Sequence, residues 1–206
     1  IELIKKLTQS AREMLEIWKS SYMETRQKIE DSGKGQRWEF DQKKLFAESD
    51  YMATVCRDLY DVATIVEEFN NIFGPELRAM VVDPQKIDNV AKRVEKLVIQ
   101  IESADFDIFS TNHKENWEAI MNFFYKEVRK LELEGVKFID QSFKNLRSSE
   151  SALEMLSKLK NVQTRQVILD RLLTKFDVIL DQFNKELLVI DDAFTVCFGL
   201  IYVLYY

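Results

Sequence analysis

Apolar residues recur at alternating steps of three and four along most of this 206-residue chain. Such spacing puts them on one face of an α-helix, which completes a turn about every 3.6 residues. No stretch shows the sustained alternation of apolar and polar residues that a half-buried strand needs. Only 5 glycines and 2 prolines interrupt the pattern. It predicts an all-α fold, an elongated bundle of about six to seven amphipathic helices with antiparallel neighbours and no sheet.

The most regular stripe lies between residues 45 and 69, where two sets of apolar residues interleave. Such a heptad seam needs another helix to cover it. The two sets are Leu45, Met52, Leu59 and Val66, and Val55, Val62 and Phe69. A later stripe should continue from Trp117 through Gly135 to Leu146, because one glycine costs only about 1 kcal/mol in a helix interior. Further stripes comprise Ile4, Leu7, Ala11, Met14 and Trp18 near one end, and Ile168, Leu172, Phe176, Ile179, Phe183 and Leu187 near the other.

Short local signals predict where several helices begin and end. Gly74 can cap a helix end, and the proline after it cannot continue that helix. Asp83 suits an N-cap, with Pro84 as the first helical residue. We also expect Asn112 to cap a helix, because a glutamate follows three residues later. The hydroxyls between residues 147 and 151 should cap another.

We divide the chain by such signals into four parts. They are an N-terminal helix (1–32), a glycine-containing linker (33–37), a helical bundle (38–187) and an apolar C-terminal segment (188–206). A membrane-spanning helix needs roughly 20 apolar residues. The apolar run from Ala193 to Tyr206 is shorter, and extending it would place Asp191 and Asp192 in the bilayer at high cost. We therefore expect no membrane span. The chain starts at Ile1 rather than Met, so either a leader has been removed or the chain is a piece of a longer protein, and we favour the piece.

The charged and reactive residues argue against several classes of function. A net charge of −6 argues against a broad, positively charged surface of the kind that binds nucleic acid. The single histidine, His113, lies in a polar run and is interpreted as solvated, and Cys56 as a buried structural thiol. The two cysteines lack CxxC-type spacing, which indicates a reducing compartment. A P-loop would need glycine where Lys28 stands. We expect no enzyme activity, catalytic residue, cofactor or metal site.

Aromatic residues make up 12% of the chain, and most fall on the apolar stripes, where they should pack in the core. In two places they exceed what one buried face needs: the entry to the heptad helix and a run of three near residue 124. We interpret these residues as candidates for contact with another protein chain. They are Trp38, Phe40, Phe123, Phe124 and Tyr125.

Three strings occur in an order that is similar to one known family: RWEFDQKKLF (37–46), VEEFNNIFGPELRAM (66–80) and FIDQSFKNLRSSESALEML (138–156). The chain resembles the N-terminal tail region of dynein heavy chains, most closely the axonemal ones. The resemblance extends from about Trp18 to about Leu187. We expect the sequence beyond Leu187 to depart from the family pattern, as the product of a truncated or mis-spliced gene model.

The resemblance implies a non-catalytic structural and interaction segment that serves motor assembly and anchoring in microtubule-based ciliary movement. It implies intermediate chains, light chains, other heavy chains and axonemal docking components as partners, in the cytoplasm and the cilium or axoneme. The ATP-hydrolysing ring of that family lies far downstream of this region. Helical periodicity alone would suit a free-standing adaptor or tether unrelated to motors equally well. The apolar C-terminus raises a third alternative, a tail-anchored membrane protein.

Overall fold

A computed structural model describes residues 1–33, 42–80, 83–144, 146, 148–159 and 165–205. The regular structure of these residues is helical and includes no strand, which confirms the predicted all-α fold. The helices are α1 (Glu2–Asp31), α2 (Gln42–Ile72), α3 (Pro75–Met80), α4 (Pro84–Glu102), α5 (Lys114–Lys144), α6 (Ser149–Lys158) and α7 (Gln166–Tyr205). A 3₁₀ turn, Thr111–His113, precedes α5. Residues 34–37 of the predicted linker lie outside the described residues.

The chain divides into two compact units. Unit 1 comprises Ile1–Phe69 and Lys92–Val128, and unit 2 comprises Asn70–Ala91 and Arg129–Tyr206. Each unit buries its own apolar side chains, which supplies the main driving force for folding. The most deeply buried are Val55, Phe69 and Trp117 in unit 1, and Ile72, Leu77, Ile87, Val90, Leu131, Ile139, Leu159 and Ile168 in unit 2.

The buried face of α2 is rotated relative to the predicted heptad seam. Val55, Val62 and Phe69 are buried as expected, whereas the set that begins at Leu45 is only half-buried. Its place in the core is taken by another row with the same spacing of seven: Tyr51, Asp58, Ile65 and Ile72. The predicted period was therefore correct. Its phase was shifted, because the neighbouring helices decide which of two adjacent rows faces inward.

Most of the predicted apolar stripe of α1 faces solvent rather than α2. An ion pair between Lys5 and Glu67 joins the two helices, and the rings of Tyr22 and Phe46 meet edge to face with centroids 5.4 Å apart. Of the predicted stripe, Ile4, Leu7 and Met14 stay exposed, whereas the Trp18 ring meets Phe46 edge to face with centroids 6.1 Å apart. Polar and aromatic contacts therefore hold α1 in place.

The structure confirms the predicted start of α4 and corrects that of α5. Helix α4 begins at Pro84, and Asp83 Oδ1 accepts a hydrogen bond from the Gln85 amide at 3.2 Å, as expected of an N-cap. The prediction for Asn112 was wrong, because this residue lies inside the 3₁₀ turn and α5 begins at Lys114. The tighter i to i+3 hydrogen bonding of this turn satisfies backbone groups that an N-cap would otherwise serve.

Helices α6 and α7 are joined at the start of α6. Ser148 caps α6 as predicted, because its Oγ accepts a hydrogen bond from the Ser151 amide at 3.2 Å. Glu186 of α7 accepts hydrogen bonds from the Ser149 amide at 2.9 Å and from the Ser149 hydroxyl at 2.6 Å. The Ser149 hydroxyl lowers the pKa of Glu186 from its ordinary value. A carboxylate at this position also interacts favourably with the positive end of the α6 dipole.

Helix α7 continues without interruption through the apolar C-terminal segment to Tyr205. Asp191 and Asp192 are exposed on its surface. Among the helices of the described residues, none combines the length and apolar character needed to cross a membrane.

Candidate partner-binding surfaces

The structure places the predicted partner-contact aromatics in different environments. Trp38 and Phe40 lie outside the described residues. Phe123, on α5, is 49% exposed, whereas Phe124 is only 2% exposed and belongs to the unit 1 core. Tyr125 is half-buried, and its ring meets that of Phe124 edge to face with centroids 5.7 Å apart. Of these three side chains, Phe123 alone is open enough for a partner to pack against.

Tyr125 takes part in a polar cluster with two aspartates of α2. Its hydroxyl is hydrogen-bonded to Asp61, and Asp58 lies close enough to act on it electrostatically. Burial, together with the charges of Asp58 and Asp61, raises the pKa of Tyr125 to about 12. Burial also raises the pKa of Asp61, and the charge of Asp58 adds to this effect. The cluster therefore keeps a neutral phenol next to two carboxyl groups and has the geometry of a structural contact between α2 and α5.

Asp58 is a buried polar residue of unit 1 that the sequence pattern did not single out. It is buried, and its Oδ2 accepts a hydrogen bond of 2.9 Å from Nε1 of Trp117, which is itself fully buried. Arg57 donates to the other oxygen at 3.3 Å. A buried carboxylate is tolerated because these donors satisfy it. Its spacing of seven from Tyr51 and from Ile65 was the signal that could have placed it in the core row.

The remaining reactive residues show no catalytic arrangement among the described parts of the chain. Cys56 is buried, and burial raises the pKa of its thiol, which disfavours the nucleophilic thiolate. His113 is half-buried in the 3₁₀ turn. Within the same residues, no three histidine, cysteine, aspartate or glutamate side chains gather closely enough to hold a metal ion.

Exposed apolar surface is concentrated on the first and last helices. Outside α1 and α7 and the adjoining Ile1, the large exposed apolar side chains of the described residues are scattered: Ile99, Phe109, Phe123, Leu133 and Leu153. Those on α1 and α7 form continuous stripes. Contiguous exposed apolar surface of this kind marks sites of contact with other proteins, so both helices are candidate binding surfaces.

Comparison with known proteins identifies the family. The family model described as "Dynein heavy chain, N-terminal region 1" matches residues 1–198, which extends past Leu187, where we expected the resemblance to end. The chain is 37% identical over 186 residues, 90% of its length, to the Dynein-1-alpha heavy chain of the flagellar inner arm I1 complex from Chlamydomonas reinhardtii. It is 52% identical over 121 residues, 59% of its length, to human Dynein axonemal heavy chain 10.

The chain spans only 4% of the first of these relatives and 3% of the second. In both cases the similarity concerns a small part of a very large protein. The matched family model covers nearly all of the chain and describes the N-terminal region of such proteins. The chain therefore belongs to the dynein heavy-chain family and represents its N-terminal region.

Proposed function

We propose that this chain is a non-catalytic structural and interaction segment of a dynein heavy-chain tail, which serves motor assembly and anchoring in ciliary movement. The observation that carries this proposal is the match of residues 1–198 to the N-terminal region of the family. The absence of a P-loop pattern around Gly33 and Lys34 supports the same view. The segment binds other proteins and leaves nucleotide hydrolysis to other parts of the heavy chain.

The partners that we propose are dynein intermediate and light chains, other heavy chains and axonemal docking components. The relatives are named for the flagellar inner arm and for the axoneme, and this supports a location in the cytoplasm and the axoneme of cilia. The exposed apolar stripes of α1 and α7 provide surface for such contacts. The net charge of −6 is mildly acidic, which favours protein partners over nucleic acid.

The mechanical part of the proposal rests on helix length and on ion pairs. Helices α1, α2 and α5 have 30, 31 and 31 residues, so each is about 45 Å long. In unit 2, Asp140 of α5 accepts two hydrogen bonds of 2.7 Å from the Arg171 guanidinium, and Lys175 bonds the same carboxylate. Paired, two-point contacts of this kind resist sliding between helices. A segment that transmits force needs that resistance.

Two measurements test the proposed function. The tagged chain should recover dynein intermediate or heavy chains from ciliary extract, and recovery of neither would contradict the assignment to motor assembly. In isothermal titration calorimetry with MgATP, the purified chain should give no saturable heat. Saturable ATP binding would show that the segment is not the non-catalytic part that we propose.

A further inference from the structure

Helix α7 carries a second apolar stripe beside the one that packs in unit 2. Six side chains at alternating steps of three and four form it, and they are 47–64% exposed. We name this stripe the α7 seam: Leu173, Phe176, Leu180, Phe183, Leu187 and Ile190. Alternating steps of three and four are the a and d positions of a heptad, the pattern by which two helices pack in a coiled coil. The seam is thus a complete half of a helix-packing interface.

The other apolar row of α7 is already occupied. Leu172 and Ile179 are buried in unit 2, and Glu186, seven residues further on, is held by Ser149 of α6. This inner row lies about 70° around the helix from the seam, by the rotation of 100° per residue. One flank of the seam is therefore closed by unit 2, and a partner can extend only over the other flank.

The open flank is acidic. Asp170, Asp177, Asn184 and Asp191 follow one another at intervals of seven, and all four are exposed. The row includes no lysine or arginine. In heptad packing, the residues that flank the seam face the flanking residues of the partner helix and select that partner by charge. A partner with lysine or arginine in its flanking positions is the complementary one.

We infer that the α7 seam binds an amphipathic helix of another polypeptide, with its own apolar heptad seam and with lysine or arginine at the flanks. The distance from Leu173 to Ile190 is about 26 Å along the helix axis, which a partner helix of about 18 residues would cover. This inference rests on the proposed function, because it names the chemistry of one partner of the tail segment and the face that receives it.

The acidic flank also argues against two other occupants. In an antiparallel pair with a second copy, Asp177 and Asp191 would face the same acidic row, and in a parallel pair the row would face positions that unit 2 already buries. Helices that lie on membranes carry lysine and arginine beside the apolar face, because anionic lipids attract them. The open flank of the α7 seam carries the opposite charge.

Two designed peptides test the inference with the 206-residue chain. Each has about three heptads with leucine in the seam positions; one carries lysine at the flanks and the matched peptide carries glutamate. Fluorescence anisotropy should show saturable binding of the lysine peptide, at least about tenfold tighter than the glutamate peptide, since several exposed ion pairs each contribute modestly. Equal affinities, or no saturable binding, would overturn the inference.

Variants locate the binding face and guard against misfolding. Phe183→Asp should weaken binding of the lysine peptide at least about tenfold, because it puts a charge in the seam. Leu188→Asp, at an exposed position of α7 outside the seam, should leave binding unchanged. The double variant Asp177→Lys with Asp191→Lys should prefer the glutamate peptide, a gain of binding that a misfolded chain could not give. Binding of the lysine peptide that neither Phe183→Asp nor the double variant changes would contradict the proposed face.

Sedimentation tests the alternative of a second copy. The chain should show no dimer that Phe183→Asp dissociates, and such a dimer would assign the seam to self-association and overturn the inference. Failure of this inference can be distinguished from failure of the proposed function. If the chain recovers dynein subunits from ciliary extract but ignores both peptides, the inference alone fails. If it binds the lysine peptide but recovers no dynein subunit, the proposed function fails.

Discussion

Trp117 is the single side chain whose loss should cost unit 1 most. Replacing it by phenylalanine removes the hydrogen bond to Asp58 and leaves a cavity in the core. We expect Trp117→Phe to lower the free energy of unfolding by about 2–4 kcal/mol. Trp18→Phe is the matched control: Trp18 is 39% exposed, and a phenylalanine can keep the aromatic contact with Phe46, so the change should cost less than about 1 kcal/mol. Urea unfolding followed by circular dichroism measures both, and equal costs would contradict the buried hydrogen bond.

Asp61 should make stability depend on pH. Burial raises its folded-state pKa above the ordinary 3.8, so the folded chain binds this proton more tightly than the unfolded chain. The stabilisation from protonated Asp61 is present below the ordinary pKa and is lost as the pH rises through the raised one. At neutral pH the charged carboxylate therefore costs stability. An asparagine avoids that cost, and its side-chain oxygen can still accept the Tyr125 hydrogen bond.

We accordingly expect Asp61→Asn to stabilise the chain at pH 7 by up to about 1 kcal/mol. The advantage should shrink as the pH falls towards 4, because Asp61 of the unsubstituted chain then becomes protonated. Urea unfolding at pH 7, 5.5 and 4.5 tests this. Asp191→Asn, at an exposed site of α7, controls for the loss of one negative charge. An advantage of Asp61→Asn that stays constant or grows with acidity would refute the explanation.

Gly135 offers a test of helix α5 as an element. The helix passes through this residue unbroken, as the sequence predicted. A Cβ added there would lie 3.4 Å from Phe73 Cζ and 3.5 Å from Ile168 Cδ1, which are ordinary contacts. Since glycine in a helix interior costs about 0.5–1 kcal/mol relative to alanine, Gly135→Ala should raise the free energy of unfolding by that amount.

Gly33 provides a control, because its substitution by alanine should change stability in the opposite direction. It follows α1 with a φ of +65°, a conformation that costs an L-residue about 1–2 kcal/mol. Gly33→Ala should therefore destabilise the chain or shorten α1, although no atom lies within 4 Å of the added Cβ. Thermal unfolding of the two variants should shift in opposite directions. A lower midpoint for Gly135→Ala would mean that the space beside Phe73 is tighter than the structure indicates.

How far the sequence predicts the elements depends on whether the signal is local. Asp83 caps α4 through its own neighbours, so its role was visible in the sequence. The buried row of α2 was not visible in the sequence. Two adjacent rows of α2 have the same spacing, and packing against helices distant in sequence determines which row is buried. The same distinction applies to the candidate surfaces. Phe124 lies seven residues after Trp117 and seven before Leu131, both buried, so its place in the core was visible in the spacing. The hydrogen-bond partner of Asp58, in contrast, is 59 residues away in sequence.

Across the whole molecule, the large exposed apolar side chains of the described residues concentrate on α1 and α7, at the two ends of the sequence. If the α1 stripe is a binding surface, making it polar should cost little stability, because its side chains are already in water. We expect the double variant Leu7→Gln with Met14→Gln to change the free energy of unfolding by less than about 0.5 kcal/mol.

The same double variant should bind less of the dye 8-anilinonaphthalene-1-sulfonate and recover less dynein intermediate or heavy chain from ciliary extract, because both need apolar surface. Lys6→Gln with Glu13→Gln, also at exposed α1 positions, controls for changes to the polar surface. A large loss of stability in Leu7→Gln with Met14→Gln would mean that the stripe is covered within the chain. If Leu7→Gln with Met14→Gln changes neither the stability nor the recovery of dynein subunits, the α1 stripe is not a docking surface. A face that contacted a partner through apolar side chains would bind less well once it was made polar.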